Sequence, residues 1–162
     1  MNNHHNLVEL FKEIDNIEVV FIDDESFIKA FIMRYEGKQD IYITKNNTCW
    51  TRFYACKELA QILIYSEDNA TYVLDDVDEL LSSLMNGIDV NSNNHQIVAD
   101  NITYFAAMEF LLPSAIIPNL LILKNKGFNN ELIAKKMLVP ESIVDFRLSI
   151  AGRDLFNSIL EK

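Results

Sequence analysis

The chain has 162 residues, enough for one domain, or one domain with a small helical appendage, to bury a core without disulfides or a structural metal. Apolar residues make up 49% and charged residues 23%, which excludes intrinsic disorder over most of the length, and 4 Gly with 3 Pro favour helices over a loop-rich or all-β protein. With 14 Lys and Arg against 24 Asp and Glu the net charge is −10, which disfavours nucleic acid and anionic membranes as partners, since cations hold both.

The opening Met-Asn-Asn-His-His has neither the basic nor the apolar region of a signal peptide. No apolar run reaches the roughly 18 residues of a membrane span. Cys49 and Cys56, placed on one helix, would stand about 10 Å apart, too far for a bridge. A reduced, cytoplasmic protein is expected.

Leu7, Leu10, Phe11 and Ile14 follow the i, i+3, i+4, i+7 spacing of an amphipathic helix. Val19 to Ile22 reads as a short strand. Phe27 to Tyr35 and Ile41 to Ile43 flank Glu36-Gly37-Lys38-Gln39, a β-hairpin pattern in which Gly37 supplies the positive φ of a tight turn. Trp50 to Tyr65 is the strongest helix, with Phe53, Cys56 or Lys57, Ala60 and Ile64 inward and Thr48 or Thr51 as its cap.

Asp75 to Met85 predicts another helix, its acids at the positive end of the helix dipole. Those acids (Asp75, Asp76, Asp78 and Glu79) lack the spacing and the Gly of a calcium loop. Asn86 to Asn94 reads as a loop. Gln96 to Leu112 is a helix stopped by Pro113, and a further helix runs from Ser114 to Lys126, with Pro118 near its first turn and Gly127 at its end. Asn129 to Met137, Val139-Pro140-Glu141 and Ser142 to Ile150 read helix–turn–helix. A helical hairpin closing the core is favoured over a DNA reader. The second helix carries one cation, Arg147, against Glu141 and Asp145, whereas a recognition helix needs several groups for phosphates and base edges.

The segment Arg52-Phe53-Tyr54-Ala55-Cys56-Lys57-Glu58-Leu59-Ala60-Gln61-Ile62-Leu63 resembles the active-site helix of the ImmA/IrrE family of zinc metallopeptidases. The family pattern there runs Arg-Phe-x-x-Ala-His-Glu-Leu-Gly-His, followed by aliphatic residues. Arg52, Phe53, Glu58, Leu59, Ile62 and Leu63 match in register. Phe105 to Pro113 is similar to the family's Phe-Ala-x-Glu-Leu-Leu-Met-Pro ending, and Glu131 to Ser142 with Arg147-Leu148 resembles its C-terminal helical pair. The three blocks keep their order over about residues 40–150.

What the resemblance implies is an α+β fold: a mostly helical, zincin-like domain over 1–126 with a small β-sheet or hairpin, and a C-terminal helical extension over 127–162. Two histidines at i and i+4 are what bring two imidazoles onto one zinc ion, with the intervening Glu as general base. Here Lys57 and Gln61 stand in those places. An ammonium repels a metal and an amide is a poor zinc ligand, so neither a metal nor another cofactor is expected. The family's third ligand, an acid before the Phe-Ala block, falls at Asp100 or at Ile102. Lys57 is expected to pair with an acid such as Asp100 and so to cross-link two helices.

Active members of the family are found with helix-turn-helix repressors of mobile elements or stress regulons, which they cleave. The resemblance therefore implies a catalytically inactive pseudopeptidase that binds a regulatory protein partner, a repressor of that kind among the candidates, in a prophage or mobile element. Lys57, Glu58, Gln61, Asp100, Arg52 and Tyr54 would line the vestigial cleft, with Glu58 a relic of the base. Two alternatives stand beside it: a divergent peptidase holding a metal through Glu58, Asp100 and His95, and an interaction protein of a phage or mobile element that inhibits a host system. Cys56 beside Lys57 would be a thiol nucleophile only if ionised; packing as a small apolar side chain is the favoured reading.

Overall fold

The computed structural model describes residues 11, 14–23, 29–35, 37–64 and 95–160, the first six residues of the last range by their backbone alone. The described residues form an α+β protein, mostly helical, with one three-stranded mixed sheet. The chain divides into two compact units, Met1–Asp75 and Asp76–Lys162.

The first unit holds β1 (Ile17–Ile22), β2 (Ala30–Tyr35), β3 (Lys38–Thr44) and α1 (Thr48–Ile64). The expected hairpin is present. Tyr35 pairs with Lys38 across a two-residue loop in which Gly37 has φ +79°, where a β-carbon would be strained. The expected strand at Val19 begins two residues earlier, at Ile17, and runs parallel to β3, so the sheet order is β1-β3-β2 with β3 central. That position explains why β3 is the most buried strand although not the most apolar: Ile41 and Ile43 are fully buried, with Ile32 and Ala30 opposite them on β2. On the other face Phe31 stacks on Tyr42, ring centroids 4.9 Å apart, a cross-strand pair that pins the register. Helix α1 packs on β3 and β2.

Phe11 is helical and buried, as expected, whereas Ile14 lies at a bend and is exposed. The rest of the predicted Leu7–Ile14 helix, Phe27 and Ile28, the Asp75–Met85 helix and the Asn86–Asn94 loop lie outside the described residues.

The second unit holds α2 (His95–Leu111), a 3₁₀ turn (Ser114–Ile116), α3 (Ile117–Asn125), α4 (Asn130–Met137), α5 (Glu141–Leu148) and α6 (Ile150–Leu160). The single helix expected from Ser114 to Lys126 is in fact the 3₁₀ turn followed by α3. Pro118, in the first turn of α3, lacks an N–H that would go unused there. Gly127, with φ +91°, closes α3: its N–H donates to Lys124 O and that of Phe128 to Leu123 O.

The helix–turn–helix is present over α4 and α5. Asn129 caps α4 through its side-chain oxygen, and Leu138 takes the left-handed conformation at the turn. The expected pair is a trio, because Ser149 ends α5 and begins α6. Its backbone is extended, and its Oγ accepts the Gly152 N–H at 2.9 Å. Gly152 is required there, since a β-carbon would lie 2.0 Å from Phe146 O on α5. Among the described residues no single helix is long and apolar enough to cross a membrane.

Candidate functional site

The segment Arg52 to Leu63 lies on α1, and the helix begins where a side chain can satisfy its first amides. Asn47 Oδ1 accepts the N–H groups of Cys49 and Trp50, each at 3.1 Å. The cap is therefore Asn47, not Thr48 or Thr51. An asparagine reaches the same two amides, and here its position places it outside the first turn.

From Phe53 to Glu58 six consecutive residues are buried, and Ala60 and Gln61 follow. A helix that buries one stripe hides about half its circumference. Six in a row means that α1 is enclosed on all sides at this level. That enclosure is what forces charged side chains inside. Ile64, expected inward, is instead 42% exposed, because the enclosure ends one turn earlier.

Lys57 and Glu58 are each 1% exposed, and Lys57 Nζ donates to Glu58 Oε1 at 2.8 Å. Side chains at i and i+1 leave a helix about 100° apart and normally diverge. Two long side chains confined to the same interior can still converge at their tips. Lys57 is thus paired with a carboxylate, that of its sequence neighbour on the same helix, while the side chain of the expected partner Asp100 lies outside the described residues. Gln61 lies one turn on from Lys57 and is 2% exposed. Asp100 and His95 belong to the other unit, on residues whose side chains are not described.

Tyr54 is buried and stacks on Trp50 at 5.6 Å, with Phe53 edge-on to both rings. Arg52 is half-buried beside them. Burial pushes the Cys56 thiol up to about 12, the nearby Arg52 charge only partly opposing this. Cys56 is therefore a neutral packing group at ordinary pH, with none of the thiolate character a nucleophile needs.

Whether zinc suits this helix follows from the donor set. The first histidine position of the family pattern holds an ammonium already bonded to the carboxylate that would serve as base, and the second holds an amide. A divalent ion would have to displace a buried cation and accept an amide oxygen as a ligand. These residues do not fit zinc. Among the described residues no three His, Cys, Asp or Glu side chains come together as a ligand set.

A second buried polar centre lies in the other unit and went unread in the sequence. Arg147 is 1% exposed. Its Nη2 donates to Glu109 Oε2 at 2.9 Å, to Leu112 O at 2.8 Å and to Ser114 Oγ at 3.0 Å. Glu109 also accepts the N–H and the hydroxyl of Ser114, at 2.7 and 2.8 Å. The guanidinium carbon sits 3.4 Å from the centroid of the Phe156 ring.

This cluster joins α2, the 3₁₀ turn, α5 and α6. It also joins two of the three blocks that carry the resemblance, Glu109 from one and Arg147 from the next. Desolvation lowers the Arg147 pKa, with the Glu109 carboxylate opposing the shift. The second helix of the helix–turn–helix thus turns its one cation inward and leaves Glu141 and Asp145 exposed. The signal available in the sequence was an arginine on an otherwise apolar face.

Comparisons with protein-family models, curated proteins and solved structures gave no match for this chain.

Proposed function

We propose that this chain is a catalytically inactive relative of the ImmA/IrrE metallopeptidases that acts by binding a regulatory protein, in the manner of an antirepressor. The observation that carries the reading is the Lys57–Glu58 ion pair, buried on the helix that resembles the family's zinc helix. A glutamate is a useful general base in such an enzyme because a metal acidifies the water it deprotonates. Tied to an ammonium in a closed interior, Glu58 is poorly placed to serve as that base. What the helix retains is a partly exposed rim of Arg52 and Trp50 around a rigid centre, a feature suited to recognition.

The test is co-expression with a helix-turn-helix repressor encoded beside the gene. The reading predicts a complex that survives gel filtration with the repressor at full length. Repressor fragments that accumulate with the wild-type chain and not with Glu58→Gln would contradict it.

A further inference from the structure

We propose that the outer surface of α3 and α4 docks on an anionic lipid bilayer, with its lysines at the headgroups and its exposed aliphatic side chains in the layer beneath. The net charge of the whole chain argues against such a partner, but the distribution of that charge does not. The first 100 residues carry 7 Lys and Arg with 18 Asp and Glu, whereas the last 62 carry 7 with 6. Between Pro113 and Pro140 there are four lysines and a single acid, Glu131.

Lys124 and Lys126 stand at the end of α3, and Lys135 and Lys136 at the end of α4. All four are exposed, and none makes an ion pair among the described residues. Leu132, Lys135 and Lys136 share one face of α4, at i, i+3 and i+4. Ile122 stands one turn before Lys126. Phe128 joins the two helices: its N–H donates to Leu123 O, and Lys136 Nζ lies 5.3 Å from the centroid of its ring. Ile122 is 51% exposed and Leu132 41%, while Leu120 and Ile133 are the residues that α3 and α4 bury.

Lysines in a last turn complement the helix dipole, which accounts for their charge but not for two large aliphatic side chains left in water beside them. Where proteins meet proteins, lysine is depleted in favour of arginine and aromatic residues. A nucleic acid would be met by cations on the second helix of the helix–turn–helix, and α5 instead exposes Glu141 and Asp145. Lysine stems lying along apolar surface, with the ammonium groups outermost, match the headgroup boundary of a bilayer.

The test is co-sedimentation of the full chain with vesicles of phosphatidylcholine alone and of phosphatidylcholine with about 30% phosphatidylserine, the anionic lipid that attracts such lysines. Binding to the anionic vesicles only is expected, with release at high salt. Lys135→Gln with Lys136→Gln should weaken it about thirtyfold, the effect of two lysines near a charged surface. Ile122→Ser with Leu132→Ser should weaken it about tenfold. Lys38→Gln with Lys45→Gln removes the same charge from exposed sites in the other unit and should leave it unchanged.

No sedimentation, equal binding to the neutral vesicles, or equal loss in the two lysine pairs would overturn the proposal. So would binding that survives the loss of Ile122 and Leu132 undiminished. Binding to poly-glutamate or duplex DNA as tight as to the anionic vesicles would overturn it in favour of those partners. The repressor co-expression test uses no lipid variants, so the two ideas fail separately.

Discussion

Replacing Lys57 by Met removes the ammonium and leaves the Glu58 carboxylate in an interior where both partners are 1% exposed. Breaking a buried ion pair from one side costs about 3–5 kcal/mol, because the remaining charge loses its counter-charge but stays dry. That is a large part of the roughly 5–15 kcal/mol by which a domain is stable. The double variant Lys57→Met with Glu58→Leu removes both charges at similar volume. It should recover most of the loss, since apolar substitutes for buried pairs are often neutral or better.

Urea unfolding of the wild type, both single variants and the double variant gives the coupling directly. The exposed pair Lys45–Asp23, at 2.7 Å, is the internal control, and Lys45→Ala should cost about 1 kcal/mol or less. Lys57→Met within about 0.5 kcal/mol of wild type, or single losses that simply add in the double variant, would refute the argument.

Three further outcomes follow from particular contacts. Asn47→Ala should lose about 1 kcal/mol of stability by urea unfolding, while Thr48→Ala and Thr51→Ala lose less, because the Asn47 side chain caps α1. Gly152→Ala should lose about 2 kcal/mol or more by the same measurement, since the new methyl would meet the backbone of Phe146 and no side chain can yield; an unchanged midpoint would show that α5 and α6 separate easily. A thiol reagent at pH 8 should label the partly exposed Cys49 in the native protein and reach Cys56 only on unfolding. The folded Cys56 holds its proton up to about 12, so its contribution is complete below the unfolded value near 9 and is lost as pH rises through 12.

Local chemistry made much of the fold legible. The Gly37 hairpin and the α3 stop at Gly127 rest on glycines that admit a positive φ, and the turn between α4 and α5 on Pro140 at the head of α5, with Leu138 taking the left-handed conformation against its preference. The parallel pairing of β1 with β3 was not legible, since it joins segments 22 residues apart through contacts that leave no local pattern. Nor was the break at Ser149. No Gly or Pro marks it, and only the return of the Ser149 hydroxyl to the Gly152 amide reveals a new helix.

The candidate site was half legible. Apolar spacing over Trp50 to Tyr65 indicated the helix, and the resemblance singled out Lys57, Glu58 and Gln61 on it. Periodicity describes a helix with one buried stripe, however, and α1 is enclosed all round between Phe53 and Glu58. That is why a contact between the sequence neighbours Lys57 and Glu58 was not expected. The Glu109–Arg147 pair spans 38 residues and could be suggested only by the burial of an arginine.

The most direct test of the central claim is metal content. The purified chain is loaded with zinc, desalted and measured by elemental mass spectrometry. With Lys57 bonded to Glu58 where a ligand would stand, well under one tenth of an equivalent is predicted, on the order of background. About one equivalent, lost in Glu58→Gln or Asp100→Asn, would show that these residues hold a metal after all and would contradict the account.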